Sequence, residues 1–169
     1  MGIAANQARL MTLTARQSDL EYKAQQISAI KMRISQASST LATNYANALN
    51  NYTKLNSAQQ MGNAHPNAKF RINSDGTYAQ DDEAGTVLGS DLLQAVATQL
   101  GAVVSTANDY LTVEQGIYNT QTEMISSQEK IYDMELTQVN TEHDAIKTEY
   151  DAIKSLVGDN VEKTFNVFG

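Results

Sequence analysis

Residues 141–154 decide the fold, because they carry one heptapeptide twice: Thr141-Glu-His-Asp-Ala-Ile-Lys147 is followed directly by Thr148-Glu-Tyr-Asp-Ala-Ile-Lys154. A seven-residue period keeps one side of an α-helix against a partner helix over several turns. The repeat therefore predicts a long helix that packs lengthwise, and it does not indicate a pocket.

The same spacing continues on both sides of the repeat and predicts an apolar stripe along a helix of roughly 40 residues. Apolar side chains recur at steps of seven at Tyr118, Ile125, Tyr132, Val139, Ile146 and Ile153. The positions four further on include Leu136, His143, Tyr150 and Val157.

The first third of the chain has a matching period. Apolar side chains recur at Leu13, Leu20, Ile27, Ile34, Leu41, Ala48 and Leu55, with Gln17, Lys31 and Ser38 as polar interruptions. Two heptad helices in one short chain can pair with each other, with copies of the chain, or with both.

Charge favours pairing of the first helix with the last. Residues 1–57 hold six Lys or Arg against two acidic residues, net +4, and residues 109–169 hold four Lys against twelve Asp or Glu, net −8. Opposite net charges favour association between these two segments, although each exposed ion pair contributes only a few tenths of a kcal/mol.

The segment between the two helices has a different pattern. Pro66, the only proline, interrupts the helical pattern after residue 57. Residues 69–72 and 77–79 flank Asn73-Ser74-Asp75-Gly76, which predicts a small β-hairpin with an Asp-Gly turn. Ser90 is a suitable N-cap for a short apolar helix that we expect to end near residue 108.

These observations predict an all-α protein: an elongated, coiled-coil-like antiparallel hairpin of two long terminal helices, with the short apolar helix and the small β-hairpin inserted between them. The expected segments of this single structural unit are residues 1–57 for the N-terminal helix, 58–90 for the loop with the hairpin, 91–108 for the short helix, and 109–169 for the C-terminal heptad helix with its apolar tail. Within the last segment we expect the helix to end near Gly158.

Composition and motifs argue against an enzyme and predict no cofactor. The chain has no Cys, and no nucleotide-binding, nucleophile-elbow or paired-histidine metal motif is present. His143 corresponds to Tyr150 in the second heptapeptide, which favours a residue of the helix–helix contact over a catalytic one, and His65 has no evident partner. Asn73, Asp75 and Gly76 match only part of a calcium loop, so we expect a turn and no metal site.

Partners and location follow from what the sequence lacks. A net charge of −7 argues against nucleic acid as a partner. We expect no cleaved signal peptide and no membrane span, because neither a basic leader nor about 20 consecutive apolar residues occur. If the protein is exported, it uses another route, and a cytoplasmic location stays open.

The central segment resembles a run near the N-terminus of bacterial flagellins. The residues that carry the resemblance are Arg71-Ile72-Asn73-Ser74, Asp81-Asp82-Glu83-Ala84-Gly85, the apolar helix, and Ala107-Asn108-Asp109. The longer stretch ahead of Arg71 and the closing Phe-Asn-Val-Phe-Gly depart from the flagellin pattern. The resemblance implies a self-assembling axial protein with bundled helical termini, exported unfolded through a type III apparatus.

The leading hypothesis is therefore a structural subunit of a bacterial filament, extracellular or on the envelope, whose main partner is a copy of itself. The residues assigned to assembly, called the seam residues below, are Leu13, Leu20, Ile27, Ile34, Leu41, Leu55, Tyr118, Ile125, Tyr132, Val139, Ile146 and Ile153, together with Phe165, Val167 and Phe168 for docking of the apolar tail. The alternative is a coiled-coil interaction module of a secretion apparatus, such as a translocator, regulator or adaptor, and a secretion apparatus or chaperone is a further possible partner.

Overall fold

The computed structural model describes the backbone of residues 3–83 and 85–168 and the side chains of residues 4–83 and 85–163. Within these residues the chain is mostly helical and forms three helices and one small antiparallel sheet. The order is α1 (Ile3–Ala64), β1 (Lys69–Ile72), β2 (Tyr78–Gln80), β3 (Val87–Leu88), α2 (Gly89–Gln99) and α3 (Ala107–Phe168). The long N-terminal and C-terminal helices expected from the heptads are both present.

The chain divides into two compact units. The terminal unit comprises Met1–Gln36 and Ser126–Gly169, and the central unit comprises Ala37–Ile125. In each unit a stretch of α1 packs against a stretch of α3.

The helix α1 extends seven residues beyond position 57, where the sequence predicted its end. Leu55 and Ala58 are fully buried in the central unit, and Gly62 is buried as well. This burial outweighs the weak helix preference of Asn56 and Ser57, and α1 ends just before His65 and Pro66.

The short helix α2 ends at Gln99, well before residue 108. Gly101 adopts a left-handed conformation with φ of +71°, and the backbone N–H groups of Gly101 and Ala102 donate to the carbonyls of Thr98 and Ala97. This pair of bonds is a Schellman motif, which terminates a helix at its C-terminus.

The start of α2 also differs from the expectation that Ser90 is its N-cap. Leu88 occupies the N-cap position and provides no side-chain hydrogen bond. The backbone N–H of Gly89 donates to the carbonyl of Ala68 at 2.8 Å, and that of Ser90 donates to the carbonyl of Pro66 at 3.1 Å. The loop after α1 therefore satisfies the N–H groups that a capping side chain would otherwise bind.

The helix α3 begins at Ala107 with a reciprocal cap. The N–H of Asp109 donates to Oγ1 of Thr106, and the N–H of Thr106 donates to the carboxylate of Asp109. At the other end the helix continues through Gly158 to Phe168, beyond the end near Gly158 that the sequence predicted. A Cβ atom at Gly158 would meet no atom within 4 Å, so no neighbouring group requires the helix to stop there.

The sheet has the order β2-β1-β3, with both neighbours antiparallel to β1. The strands β1 and β2 form the expected hairpin, and β3 adds a third strand that the sequence pattern did not indicate. Gly76, with φ of +78°, provides the left-handed residue of the turn, for which glycine is best suited.

The core of the central unit lies between the sheet and the helices. It consists of Leu55, Ala58, Phe70, Leu92, Val96, Ala97 and Ala107. An isolated two-stranded ribbon is marginal in water, and here Phe70 of β1 anchors the sheet on α1 and α2 with 3% of its surface exposed.

Candidate assembly surfaces

The inner contact of the terminal unit is an antiparallel pair formed by α1 and α3. Leu13 of α1 packs with Ile146 and Ile153 of α3 in one buried cluster, which is extended by the half-buried residues Leu10, Leu20, Tyr150 and Val157. The two copies of the heptapeptide thus supply equivalent isoleucines to the same cluster, which is how a seven-residue period buries one helix side.

Two ion pairs flank this contact. Arg9 pairs with Glu149, and Lys31 pairs with Asp133. The partners in α3 descend in number as those in α1 ascend, so the pairs fit the antiparallel direction. All four side chains are at least one-third exposed, so each pair contributes at most about 1 kcal/mol and serves mainly to favour one register.

The structure places the twelve seam residues from Leu13 to Ile153 in buried or half-buried positions. Leu13, Ile27, Ile34, Leu41, Leu55, Val139, Ile146 and Ile153 are buried, and Leu20, Tyr118, Ile125 and Tyr132 are half-buried. These side chains therefore serve contacts inside one chain, and their role in contacts between chains stays a prediction.

In the central unit, polar and aromatic contacts join α1 to the start of α3. The rings of Tyr45 and Tyr118 are stacked with centroids 4.3 Å apart. The hydroxyl of Tyr52 donates to Oδ1 of Asn108 at 3.2 Å, and the N–H of Ala107 donates to Oε1 of Gln59 at 2.8 Å. The side-chain carbonyl of Gln59 thus accepts one of the N–H bonds left open at the first turn of α3.

His143 lies in the contact between α1 and α3 of the terminal unit. Its Nε2 is 3.1 Å from Nε2 of Gln17 and 3.5 Å from a carboxylate oxygen of Glu21, and its Nδ1 is 3.6 Å from a carboxylate oxygen of Asp144. In the neutral imidazole, Nε2 can accept a hydrogen bond from the Gln17 amide. These polar contacts come from one amide and two carboxylates.

The residues that resemble flagellin have contacts inside the central unit. The guanidinium of Arg71 binds Asp81 at 2.7 Å and Glu83 at 2.8 Å, which joins β1 to the acidic loop. The amide of Asn73 donates to Oγ1 of Thr77 across the hairpin turn at 2.8 Å. Arg71 and Asn73 thus hold the acidic loop and the hairpin turn.

The turn also perturbs one carboxyl group. The pKa of Asp75 is lowered from its ordinary value, mainly because the hydroxyl and the backbone N–H of Thr77 donate to its carboxylate at 2.6 and 3.0 Å. The charge of Lys54 adds to the effect. These bonds form a local turn around Asp75, as an Asx turn does.

A second heptad row lies on the outward face of α1 and was missed in the sequence. Its members, called the outer stripe below, are Ala4, Ala8, Met11, Ala15, Ser18, Tyr22, Gln25, Ala29 and Met32, which alternate steps of four and three. All nine are exposed, and the three large members, Met11, Tyr22 and Met32, are 75%, 63% and 65% exposed. The residues between the large side chains are alanine, serine and Gln25, none of which gives a strong apolar signal, so the row was not evident from the sequence.

A comparable row lies on the outward face of α3 in the terminal unit. Its members, called the α3 row below, are Ile131, Met134, Gln138, Thr141, Ala145, Thr148, Ala152 and Ser155. All eight are exposed, and small side chains predominate from Thr141 onward. Met134, 66% exposed, is its most exposed large apolar member.

Neither a metal centre nor a membrane-spanning helix is found in the described part of the chain. No group of three or more His, Cys, Asp or Glu is placed to hold a metal ion there. The helices of residues 3–83 and 85–168 include none that is both long enough and apolar enough to cross a membrane.

The predicted tail contacts of Phe165, Val167 and Phe168 lie outside the residues whose side chains are described.

The chain matches no protein-family model, no curated protein and no solved structure. The resemblance to flagellins therefore stays a prediction from the motifs alone.

Proposed function

We propose that this chain is a structural subunit that self-assembles into a helical filament at the bacterial cell surface or outside the cell. Its building block in this proposal includes the antiparallel pair that α1 and α3 form in the terminal unit. The observation that carries the proposal is that α1 has heptad rows on two opposite faces: the inner row packs against α3, whereas Met11, Tyr22 and Met32 of the outer stripe are exposed among the described residues.

A helix with two heptad rows is suited to more than one helical neighbour. The inner row of α1 packs against α3, and the outer stripe presents three large apolar side chains separated by alanine, serine and Gln25. Small residues let a second helix approach closely, and burial of the large ones gains about 25 cal/mol per Å² of apolar area. A surface that binds a different surface of the next copy produces an open helical polymer unless the ring closes.

The proposal is tested with purified protein by light scattering and negative-stain electron microscopy. We expect long polymers of uniform width. The test variant is the double substitution Met11→Glu/Tyr22→Glu, which alters two exposed side chains. This variant should keep the helical circular dichroism of the unaltered chain and should form no polymers. A small oligomer of defined size for the unaltered chain would overturn the proposal and would favour the interaction module of a secretion apparatus.

A further inference from the structure

We infer that the outer stripe of one copy docks on the α3 row of a second copy. This contact rests on the proposed self-assembly and specifies the surfaces that carry it. Both rows lie in the terminal unit, both are exposed, and both alternate steps of four and three over several heptads.

The sizes of the side chains fit such a contact. In coiled-coil packing, a large side chain of one helix enters a hole formed by four side chains of the other. The outer stripe supplies Met11 and Tyr22 as large side chains. The α3 row supplies the small residues Thr141, Ala145, Thr148, Ala152 and Ser155, between which large side chains can enter.

Charge complementarity favours α3 over α1 as the partner surface. Residues 1–36 hold five Lys or Arg against two acidic residues, net +3, and residues 126–169 hold four Lys against nine acidic residues, net −5. A contact between two α1 helices would bring together segments of like net charge. A contact between α1 and α3 brings together opposite charges, which steer association and select the partner.

Part of the positive charge of α1 has no ion-pair partner among the described residues. Arg16, Lys23 and Arg33 make no ion pair within the part of the chain that the structure describes, whereas Arg9 and Lys31 do. Lys23 and Arg33 directly follow Tyr22 and Met32 of the outer stripe. On the other surface, Asp144 and Asp151 lie beside the α3 row, and both are exposed.

The two surfaces also produce the right kind of assembly. They lie on different helices and both face away from the inner contact of α1 and α3, so one neighbour does not cover both. The contact is therefore heterologous, and each copy retains one free outer stripe or one free α3 row after it binds a neighbour. Contacts of this kind propagate into a filament unless the ring closes.

Cysteine cross-linking tests the contact directly, because the chain contains no cysteine of its own. One set of chains carries Tyr22→Cys. A second set, with a different tag, carries Thr141→Cys, Thr148→Cys or Ser155→Cys, one per chain, at steps of seven that sample the register. The sets are mixed under mild oxidation and analysed on non-reducing gels. Val103→Cys, at a wholly exposed loop position, is the control.

We expect at least one position of the second set to form the mixed product about tenfold more than Val103→Cys does. Polymers that give mainly Tyr22→Cys homodimers would overturn the inference in favour of an α1–α1 contact, and the proposed function would stand. Polymers without a mixed product at any of the three positions would overturn it as well. Absence of both polymers and cross-links would overturn the inference and the proposed function together.

Discussion

The close approach of α1 and α2 in the central unit depends on two glycines. A Cβ atom at Gly62 would lie 2.3 Å from the carbonyl oxygen of Gly89, and a Cβ atom at Gly89 would lie 2.1 Å from the carbonyl oxygen of His65. Both obstacles are backbone atoms, so neither can be relieved by a side-chain rotation. Ordinary contact begins near 3.4 Å, and either alanine would therefore push the two backbones apart by about 1 Å.

The expected cost follows from three contributions. Overpacking of this kind costs about 1–3 kcal/mol. The separation also weakens the bonds from the N–H groups of Gly89 and Ser90 to the loop after α1, each of which contributes about 1 kcal/mol. Alanine gains about 1 kcal/mol over glycine in a helix. We therefore expect Gly62→Ala to lower the free energy of unfolding by about 2 kcal/mol.

The matched control is Gly116→Ala in the same central unit. Gly116 lies in α3, and a Cβ atom there would meet nothing within 4 Å. Since no clash opposes the helix preference of alanine, this variant should gain about 1 kcal/mol. The two substitutions have the same chemistry, so their difference isolates the contact between α1 and α2.

The measurement is urea unfolding followed by circular dichroism at a protein concentration where light scattering shows no polymer. With a slope of about 2 kcal/mol per M, typical of small proteins, Gly62→Ala should lower the midpoint by about 1 M and Gly116→Ala should raise it by about half as much. A midpoint for Gly62→Ala that rises together with that of Gly116→Ala would refute the close approach of the two backbones.

Three further outcomes are expected. The pKa of Asp75 is lowered in the folded protein, so its ionised carboxylate stabilises the turn above the ordinary pKa of 3.8, and this stabilisation is lost as the pH falls through the folded pKa. In an NMR titration the carboxyl resonance of Asp75 should therefore have a midpoint below 3.8. A midpoint at or above 3.8 would contradict the turn geometry. Ile146→Ala should lower the free energy of unfolding by about 2–5 kcal/mol and Met11→Ala by about 0.5 kcal/mol or less. Only Met11→Ala should weaken the polymers. Equal decreases in melting temperature for the two variants would contradict the assignment of Ile146 to the inner contact and Met11 to the outer surface. Deletion of residues 165–169 should abolish polymers and leave the helical circular dichroism intact, which microscopy checks.

The sequence predicted the two long helices because their large apolar residues recur at a constant step. Leu13 and Ile146 belong to that pattern, and both are buried. A single period is enough for such a prediction, since every buried position repeats the same environment. The hairpin between β1 and β2 was predictable for a related reason, because Asp75-Gly76 determines a local turn without help from distant residues.

The ends of the helices were predicted less well, because distant contacts determine some of them. The extension of α1 to Ala64 depends on burial of Leu55 and Ala58, which is a property of the folded central unit. Two other signals were local and visible. Gly101 marks the end of α2, and Thr106-x-x-Asp109 marks the start of α3, but the apolar residues Val103 and Val104 suggested that the short helix continues.

The outer stripe changes which side chains are available to a second copy. A side chain such as Ile27, with 3% of its surface exposed, has almost no area left for a neighbour, whereas Met11 has three-quarters of its surface in water. Contacts between copies therefore require either that the inner pair of helices opens or that the outer surfaces are used. Opening would expose the whole buried cluster around Leu13 and Ile146, at about 25 cal/mol per Å² of apolar area. Use of the outer stripe requires no such loss, so we expect copies to contact one another through the outward faces.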